Sequence, residues 1–210
     1  MELIQWGRDA RQRVSYDVVD QTNEHWLVVI HGGAWRDPKI TDASAHRLLN
    51  RVKSHSPGSF GGLASCDYRL SPEVKDPAHM QDCLDGIAAL KREHTISQIT
   101  LVGHSCGAFL AGQIALHLSV RQIVGVEGIY DLQELVDEYP SYAGFVGEAF
   151  GTNWPHIPWE KLPLAYVVQS PDDELLSMRQ SLRRGNLVLA SGKHDEVFES
   201  KVEWVDAIQW

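Results

Sequence analysis

The sequence is poor in cysteine, in basic residues and in long apolar runs. Its three cysteines, Cys66, Cys83 and Cys106, are an odd number without a CxxC spacing, which disfavours a disulfide framework and a zinc knuckle. With 19 Lys and Arg against 28 Asp and Glu, the formal net charge is -9, so no net basic charge is available to neutralise nucleic-acid phosphates or anionic lipid. No run of about 18 apolar residues is present, and residues 1–14 lack the apolar core of a secretory leader. We therefore expect no nucleic-acid partner, no membrane association, free thiols and a cytoplasmic location.

The length and composition fit one folded domain. At 210 residues, with 43% apolar and 22% charged residues, the chain is long enough to bury a single hydrophobic core. We expect one domain over residues 1–210. Seven tryptophans are many for this length, and three of them, Trp35, Trp154 and Trp159, lie in segments whose composition is that of loops.

Apolar runs of strand length alternate with amphipathic stretches of helix length along the chain. This alternation predicts an α/β fold with a mostly parallel central sheet and helices on both faces. The predicted strands are residues 14–19, 26–30, 63–66, 99–102, 123–126, 165–169 and 187–190. The predicted helices are residues 42–53, 76–93, 105–119, 174–184 and 197–208. Residues 26–30 are continuously apolar, which predicts a strand near the centre of the sheet.

Residues 131–162 interrupt the alternation. This segment lies between two predicted strands and is rich in proline and in aromatic residues. An insertion of about thirty residues with this composition is more typical of a lid or a wall over a site than of a plain crossover. We therefore expect residues 131–162 to form a lid-like insertion.

A strand followed by Gly103-His104-Ser105-Cys106-Gly107 and then by a helix is the pattern of a nucleophile elbow. The turn is so sharp that the residues two before and two after the serine must nearly lack side chains, which explains Gly103 and Gly107. The elbow lifts the Ser105 hydroxyl above the sheet, and the helix that follows directs its first N–H groups toward the reacting atoms. Cys106 contributes its backbone, because a thiol next to the serine points away from the substrate.

A second glycine motif, His31-Gly32-Gly33-Ala34-Trp35, follows directly on the apolar strand that ends at Ile30. Consecutive glycines allow the backbone to approach a substrate oxygen and to aim N–H groups at it. The N–H groups of Gly32, Gly33 and Cys106 are therefore the predicted oxyanion hole.

Serine needs a base to take its proton and a carboxylate to orient that base. Among the histidines that follow Ser105, His117 falls inside the predicted helix 105–119 and His156 in the insertion. His194 follows the last predicted strand and is the predicted base. The acid is expected three residues after the small residue that ends its strand, and counting from Ser170 favours Asp173. The neighbouring Asp172 stays open as an alternative; if it is not the acid, it is solvated or caps a helix.

These motifs resemble a known family. HGGAW, then DYRLSPE at residues 67–73, GHSCGA, VEGIYDL at residues 126–132, SPDDEL and GKHDE are similar to the α/β-hydrolases that include hormone-sensitive-lipase-like esterases and, most closely, the short fungal kynurenine formamidases. The resemblance covers residues 26–196. It implies an α/β-hydrolase fold with a minimal lid, no metal or organic cofactor, and hydrolysis of N-formyl-L-kynurenine to L-kynurenine and formate in tryptophan breakdown leading toward NAD.

In this interpretation the partner is a small aromatic formamide. Trp35 is predicted to close the acyl side of the site, Trp154 and Trp159 are predicted walls for the aromatic substrate, and residues 67–70 are expected to brace the loop below the HGG turn. Two alternatives remain: a short-chain carboxylesterase that uses the same triad, and a catalytically silent α/β-hydrolase that acts as a ligand sensor. The oligomeric state is open, with a homodimer as one candidate.

Overall fold

One sheet of eight strands runs through the computed structural model, which describes residues 1–182 and 184–210. The spatial order is β1-β2-β4-β3-β5-β6-β7-β8, with β2 antiparallel to both of its neighbours and every other pair parallel. The mostly parallel sheet predicted from the sequence is confirmed. The strands are β1 Glu2–Gln5, β2 Arg13–Val18, β3 His25–Ile30, β4 Gly62–Cys66, β5 Gln98–His104, β6 Gln122–Val126, β7 Leu164–Gln169 and β8 Asn186–Leu189. The sequence did not predict β1, a four-residue edge strand that is largely exposed and carries no buried apolar pattern.

Helices cover both faces of this sheet. The α-helices are α1 His46–His55, α2 Ala78–Glu93, α3 Cys106–Ala115, α4 Leu132–Glu138, α5 Ala143–Phe150 and α6 His194–Glu199. Short 3-10 helices occur at Asp42–Ala45, Pro140–Tyr142, Trp159–Lys161, Met178–Gln180 and Glu203–Ala207. Within the part of the chain that the structure describes, no helix combines the length and the apolarity needed to cross a membrane.

The central position of β3 follows from its sequence. All six of its residues are buried, and because successive side chains point to opposite faces, the strand contributes to two cores. Ile30 packs in one core with Phe109 of α3, whereas Val29 packs in the other with Leu48 of α1 and Phe198 of α6. Since β3 to β8 run parallel, their carboxyl ends meet at one edge of the sheet, which is where the candidate site lies.

The helix predicted over residues 174–184 does not form in the described part of that segment. Its only helical piece is the 3-10 helix Met178–Gln180, and Arg183 lies outside the described residues. The chain instead wraps the Asp173 carboxylate, whose Oδ1 accepts the backbone N–H of Leu176 at 2.9 Å. A side chain that captures N–H groups close ahead of it in the chain competes with helix formation.

The helix predicted over residues 197–208 begins earlier and is split. α6 already starts at His194, because the Glu196 side chain accepts the backbone N–H of Lys193 at 3.1 Å and so caps the helix. It ends at Glu199, and the rest of the predicted helix is the 3-10 helix Glu203–Ala207. His194 therefore stands on the first turn of a helix and not on the loop before it.

Candidate active site

Ser105 occupies a strained turn between β5 and α3. Its backbone has φ +53° and ψ -122°, a conformation that a residue with a side chain rarely adopts. A Cβ at Gly107 would overlap the carbonyl oxygens of Ile30 and His31, and a Cβ at Gly103 would overlap the backbone of α3. Both glycines are therefore required by close backbone contact, which is the geometry predicted for the elbow.

The HGG loop lies directly against this turn. A Cβ at Gly32 would stand 2.8 Å from His104 Nδ1 and 2.9 Å from Ser105 Cβ, so only glycine fits there. Gly33 has φ +95°, and the next two residues, Ala34 and Trp35, have φ +49° and +59°. Four successive constrained positions thus fix the path of the backbone beside the serine.

Polar side chains hold the HGG loop from below. The Tyr68 hydroxyl lies 3.1 Å from the carbonyl oxygens of both His31 and Gly32. His31 Nε2 lies 3.1 Å from Asp67 Oδ1, which also accepts a hydrogen bond of 2.8 Å from Arg11. Asp67 and Tyr68 therefore brace the loop, as predicted, whereas Arg69, which the sequence grouped with them, instead binds the carboxylate of Asp82.

Cys106 is oriented away from the cavity. Its Sγ is fully buried under the HGG loop, where it accepts the Trp35 backbone N–H at 3.4 Å and lies 3.6 Å from the Tyr68 hydroxyl. Burial raises the pKa of this thiol to about 11. As the first residue of α3, Cys106 has an N–H group without an intrahelical partner, so its backbone is the part available for oxyanion binding.

The structure brings Asp173 and His194 into direct contact. His194 Nδ1 donates to Asp173 Oδ2 at 2.8 Å, and both side chains are buried. Because Nδ1 makes this bond, Nε2 is the ring nitrogen of His194 that is left to act on a second partner. Asp172, the alternative acid, is exposed and not bonded to the histidine. His117 and His156, the other histidines that follow the serine, are also exposed.

Several donors converge on the Asp173 carboxylate. Gln169 Nε2 donates to Oδ2 at 3.1 Å, and the N–H groups of Leu175 and Leu176 donate to Oδ1 at 2.7 and 2.9 Å. Burial opposes ionisation, but hydrogen bonds to His194 and Glu127 outweigh it and lower the pKa of Asp173 to about 2. The carboxylate is therefore held ionised beside the imidazole.

His104 packs beside the elbow. Its ring stacks on Phe198 with a centroid distance of 4.3 Å and lies 4.9 Å from the ring of His194. Burial, and then the neighbouring His194, lower the pKa of His104 well below its ordinary value. This histidine is neutral and fills space next to the candidate base.

Ser105 and His194 line one cavity of about 330 Å³. The other lining residues come from the HGG loop, from the end of β6, from the insertion and from the segment after Asp173; they are Ala34, Arg36, Ile129, Ser141, Tyr142, Phe145, Leu175 and Leu176. The contribution of Arg36, Tyr142 and Phe145 was not predicted. The aromatic content of residues 131–162 was a usable signal for the last two, but it did not distinguish tyrosine and phenylalanine from tryptophan.

The structure corrects the prediction that Trp35, Trp154 and Trp159 form the walls of the substrate site. Trp35 is fully buried and packs edge-on against Phe150 at 4.9 Å, because its positive φ turns the indole away from the cavity and into the core. Trp159 is buried, and its indole N–H donates to the Tyr130 carbonyl at 2.8 Å. Trp154 lines a different cleft, with His156. None of the three lines the cavity at Ser105.

Glu127 is a residue of the site that sequence reasoning missed. It follows β6 with φ +45°, is fully buried, and its Oε1 accepts the Ser170 backbone N–H at 2.8 Å. One side-chain atom each of Glu127, Asp173 and His194 lie within 4.8 Å of one another. The sequence signal that could have revealed Glu127 is a single acidic residue in an apolar run directly after a predicted strand.

A family model described as alpha/beta hydrolase fold matches residues 27–182. The chain belongs to the alpha/beta hydrolase family. The kynurenine formamidase of Meyerozyma guilliermondii is 36% identical to this alpha/beta hydrolase over 206 residues, covering 86% of this chain and 77% of that protein. The kynurenine formamidase of Saccharomyces cerevisiae is 31% identical over 201 residues, covering 80% and 77%.

Solved structures with the same fold are also similar to this chain. One described as a truncated form of a carbohydrate esterase from gut microbiota has a TM-score of 0.72 at 14% identity and covers 97% of this chain and 91% of that one. At this identity the likeness concerns the fold alone. Within the alpha/beta hydrolases, the chain belongs with the fungal kynurenine formamidases.

Proposed function

We propose that this alpha/beta hydrolase cleaves N-formyl-L-kynurenine to L-kynurenine and formate by serine catalysis. The observation that carries the proposal is the Asp173–His194 hydrogen bond of 2.8 Å at a cavity that also contains Ser105. The kynurenine formamidases among its relatives give the substrate class. The protein is proposed to act in the cytoplasm, where its three buried cysteines remain free thiols.

In the first step Ser105 Oγ attacks the formyl carbon while His194 takes the hydroxyl proton on Nε2. Nε2 is the nitrogen assigned to this role because Nδ1 is bonded to Asp173. The ionised Asp173 holds the imidazole in the required tautomer and stabilises the imidazolium that forms. The low pKa of Asp173 keeps that charge in place throughout the physiological range.

The negative charge that develops on the formyl oxygen needs donors that are already in position. The N–H groups of Gly32, Gly33 and Cys106 are the proposed donors, held by the constrained HGG loop and by the start of α3. His194 then returns its proton to the departing arylamine nitrogen, so the C–N bond breaks and L-kynurenine leaves. Water activated by the same imidazole attacks the formyl ester, releases formate and regenerates Ser105.

The cavity lining suits an aromatic amino acid. Tyr142 and Phe145 present aromatic surface, with ring centroids 5.1 Å apart. Arg36 lies over the Phe145 ring at 5.5 Å, and among the residues that line the cavity it is the arginine. We assign the substrate ring to the two aromatic side chains and the substrate α-carboxylate to the Arg36 guanidinium, whose planar fork matches a carboxylate.

We propose that the acyl side of the site is narrow. Because the Gly32 backbone lies so close to Ser105 that even one Cβ would contact the serine, little room remains beside the nucleophile. A formyl group adds only a hydrogen to the reacting carbon, whereas longer acyl chains need a channel. The packing of the HGG loop, rather than Trp35, is therefore the proposed basis for selecting a formyl group.

The experiment that tests the function measures the formamide substrate and, separately, a series of acyl groups on one ester leaving group. Purified protein is assayed with N-formyl-L-kynurenine, following the absorbance of kynurenine, and with aryl formate, acetate, butyrate and octanoate esters. We expect turnover of N-formyl-L-kynurenine and a steep fall in kcat/KM from formate to butyrate. Efficient cleavage of butyrate or octanoate esters without formamide cleavage would identify a carboxylesterase. Absence of labelling by a fluorophosphonate probe would identify a silent sensor.

A further inference from the structure

Glu127 connects two loops at the candidate site. Its backbone N–H donates to the Val168 carbonyl at 2.9 Å, and its Oε1 accepts the Ser170 N–H at 2.8 Å. Glu127 therefore links the ends of β6 and β7 through its backbone and its carboxyl group, close to the turn that carries Asp173. The residue is fully buried and has φ +45°, so both desolvation and backbone strain oppose an acidic side chain at this position.

The second oxygen of this carboxyl group has no conventional partner. Glu127 Oε2 is buried and accepts no hydrogen bond from the residues that the structure describes. One carboxylate oxygen of Glu127, one of Asp173 and a ring nitrogen of His194 lie within 4.8 Å of one another. Two carboxyl groups that face each other in a buried site share a proton, because two adjacent negative charges are strongly unfavourable.

The surrounding groups decide which carboxyl group keeps the proton. Asp173 receives donors from His194, Gln169 and the backbone of the segment after it. Glu127 receives one backbone N–H, and the titratable groups near it include Glu174 and Tyr130 besides Asp173 and His194. Among the described residues, no Lys or Arg forms an ion pair with Glu127.

This distribution places the negative charge on Asp173 and the proton on Glu127. Burial, followed by the hydrogen bond to Asp173, raises the pKa of Glu127 to about 10, which agrees with the geometric assignment. A proton on Oε2 also gives the otherwise unpartnered oxygen a donor role, since a neutral carboxylic acid donates one hydrogen bond.

We propose that Glu127 is a positioning residue that stays protonated and donates its Oε2–H to the Asp173 carboxylate, fixing the orientation of that carboxylate toward His194. The inference rests on the proposed serine-hydrolase function for its kinetic consequence. The hydrogen bond itself does not depend on which substrate is cleaved. Loss of the proton removes the donor and places a second negative charge against Asp173, so activity falls at alkaline pH.

The first test detects the proton without any substrate. Infrared difference spectra at pH 7 between wild type and Glu127→Gln are expected to show the carbonyl band of a protonated carboxylic acid in wild type only. Glu160→Gln, a change at an exposed glutamate, is the matched control and leaves the band in place. Absence of this carbonyl band from wild type, with only carboxylate bands lost in Glu127→Gln, would overturn the proposal, and this readout stands even if the formamidase activity is not found.

The second test uses kinetics with the best substrate, whether formamide or ester. Glutamine can donate from its amide to Asp173 and accept from Ser170, whereas leucine can do neither. We expect Glu127→Leu to lower kcat about tenfold to a hundredfold with little change in KM, and Glu127→Gln to recover most of that loss. The kcat of wild type falls as the pH approaches 10, while that of Glu127→Gln lacks this alkaline decline. Equal losses in the two variants, or the same alkaline decline in both, would contradict a donor role; if Glu127→Leu does not fold, the glutamine variant and the infrared spectra decide.

Discussion

Two regions form the walls of the cavity at Ser105, and they differ in what holds them in place. The carboxyl edge of the sheet is held by its backbone: Ser105 and Ala34 have positive φ, and a side chain at Gly32 would contact the serine. Residues 131–162 contain two short helices that pack through their side chains, and their links to the rest of the cavity include the exposed Arg36–Glu148 pair at 3.2 Å and the Tyr142 hydroxyl bond to Leu175 at 3.1 Å.

This difference assigns chemistry to one region and substrate choice to the other. Backbone donors and buried hydrogen bonds give the fixed geometry that nucleophilic catalysis needs. A wall built from half-exposed side chains is easier to alter without disturbing the reacting atoms. Changes to the backbone-held residues at the sheet edge should therefore act on kcat, and changes in residues 131–162 or in the side chains that contact them should act on KM.

The largest expected effect is that of Ser105→Ala, which removes the proposed nucleophile. By comparison with other serine hydrolases we expect kcat to fall by about 10⁵-fold or more, because the residues of a triad act as a unit. Initial rates with N-formyl-L-kynurenine measure this loss. Ser119→Ala, at an exposed serine after α3, is the control, and more than about one per cent residual activity in Ser105→Ala would exclude the serine mechanism.

A matched pair of substitutions distinguishes the two neighbouring aspartates. Asp173→Asn removes the charge that orients His194 and should lower kcat by about 10⁴-fold, the size of effect seen when a triad aspartate is made neutral. Asp172→Asn changes an exposed side chain and should leave kcat within about twofold. A larger loss in Asp172→Asn than in Asp173→Asn would reverse the assignment of the acid.

The dependence of stability on pH is the next effect in size. Glu127 keeps its proton to about pH 10 in the folded protein but loses it near 4.5 when unfolded, so between these values the unfolded state binds fewer protons. The free energy of unfolding of wild type should therefore decrease with rising pH, relative to Glu127→Gln, by up to about 1.4 kcal/mol per pH unit. Asp173 adds no slope here, because its contribution is lost only as the pH falls toward about 2.

Urea denaturation of both proteins at pH 5, 7 and 9 measures this slope. The glutamine variant is expected to unfold at a higher urea concentration than wild type at pH 9, with the difference shrinking toward pH 5. Parallel pH profiles for the two proteins would show that Glu127 is ionised in the folded state.

Arg36 tests the contact between the two regions, because it follows the HGG loop and pairs with Glu148 of residues 131–162. Arg36→Met should raise KM for N-formyl-L-kynurenine about tenfold, since a charge-assisted hydrogen bond at a half-exposed site is lost, with little change in kcat. Formanilide, which has no α-carboxylate, should show no such rise. Glu148→Gln removes the ion-pair partner but keeps the cation, and it should not raise KM. An equal change with both substrates would mean that Arg36 supports the fold and does not bind the carboxylate.

The accuracy of the sequence predictions differs between features at strand ends and features that depend on side-chain contacts. The candidate site residues at the sheet edge follow the ends of strands; they are Ser105, Gly32, Asp173 and His194. At these places the need for glycine and the order of strands along the chain leave a pattern that can be recognised in the sequence. The helix predicted over residues 174–184 was wrong, because that pattern carries no information about capture of the backbone by the Asp173 carboxylate. The same limit applies to Glu127, whose role depends on a partner more than forty residues away.

The smallest expected effect concerns the aromatic residues, where the sequence prediction and the structure disagree most. Phe145 lines the cavity, whereas Trp154 lines a separate cleft and its indole N–H donates to the Gly151 carbonyl at 3.0 Å. We expect Phe145→Leu to raise KM for N-formyl-L-kynurenine about threefold to tenfold, the contribution of one aromatic contact. Trp154→Leu should leave kcat/KM within about twofold, with urea denaturation confirming that both variants are folded. If Trp154→Leu raised KM as much as Phe145→Leu does, residues 131–162 would have to adopt a second arrangement that brings the Trp154 indole to the aromatic ring of the substrate. The sheet edge and residues 131–162 would then differ in motion as well as in packing.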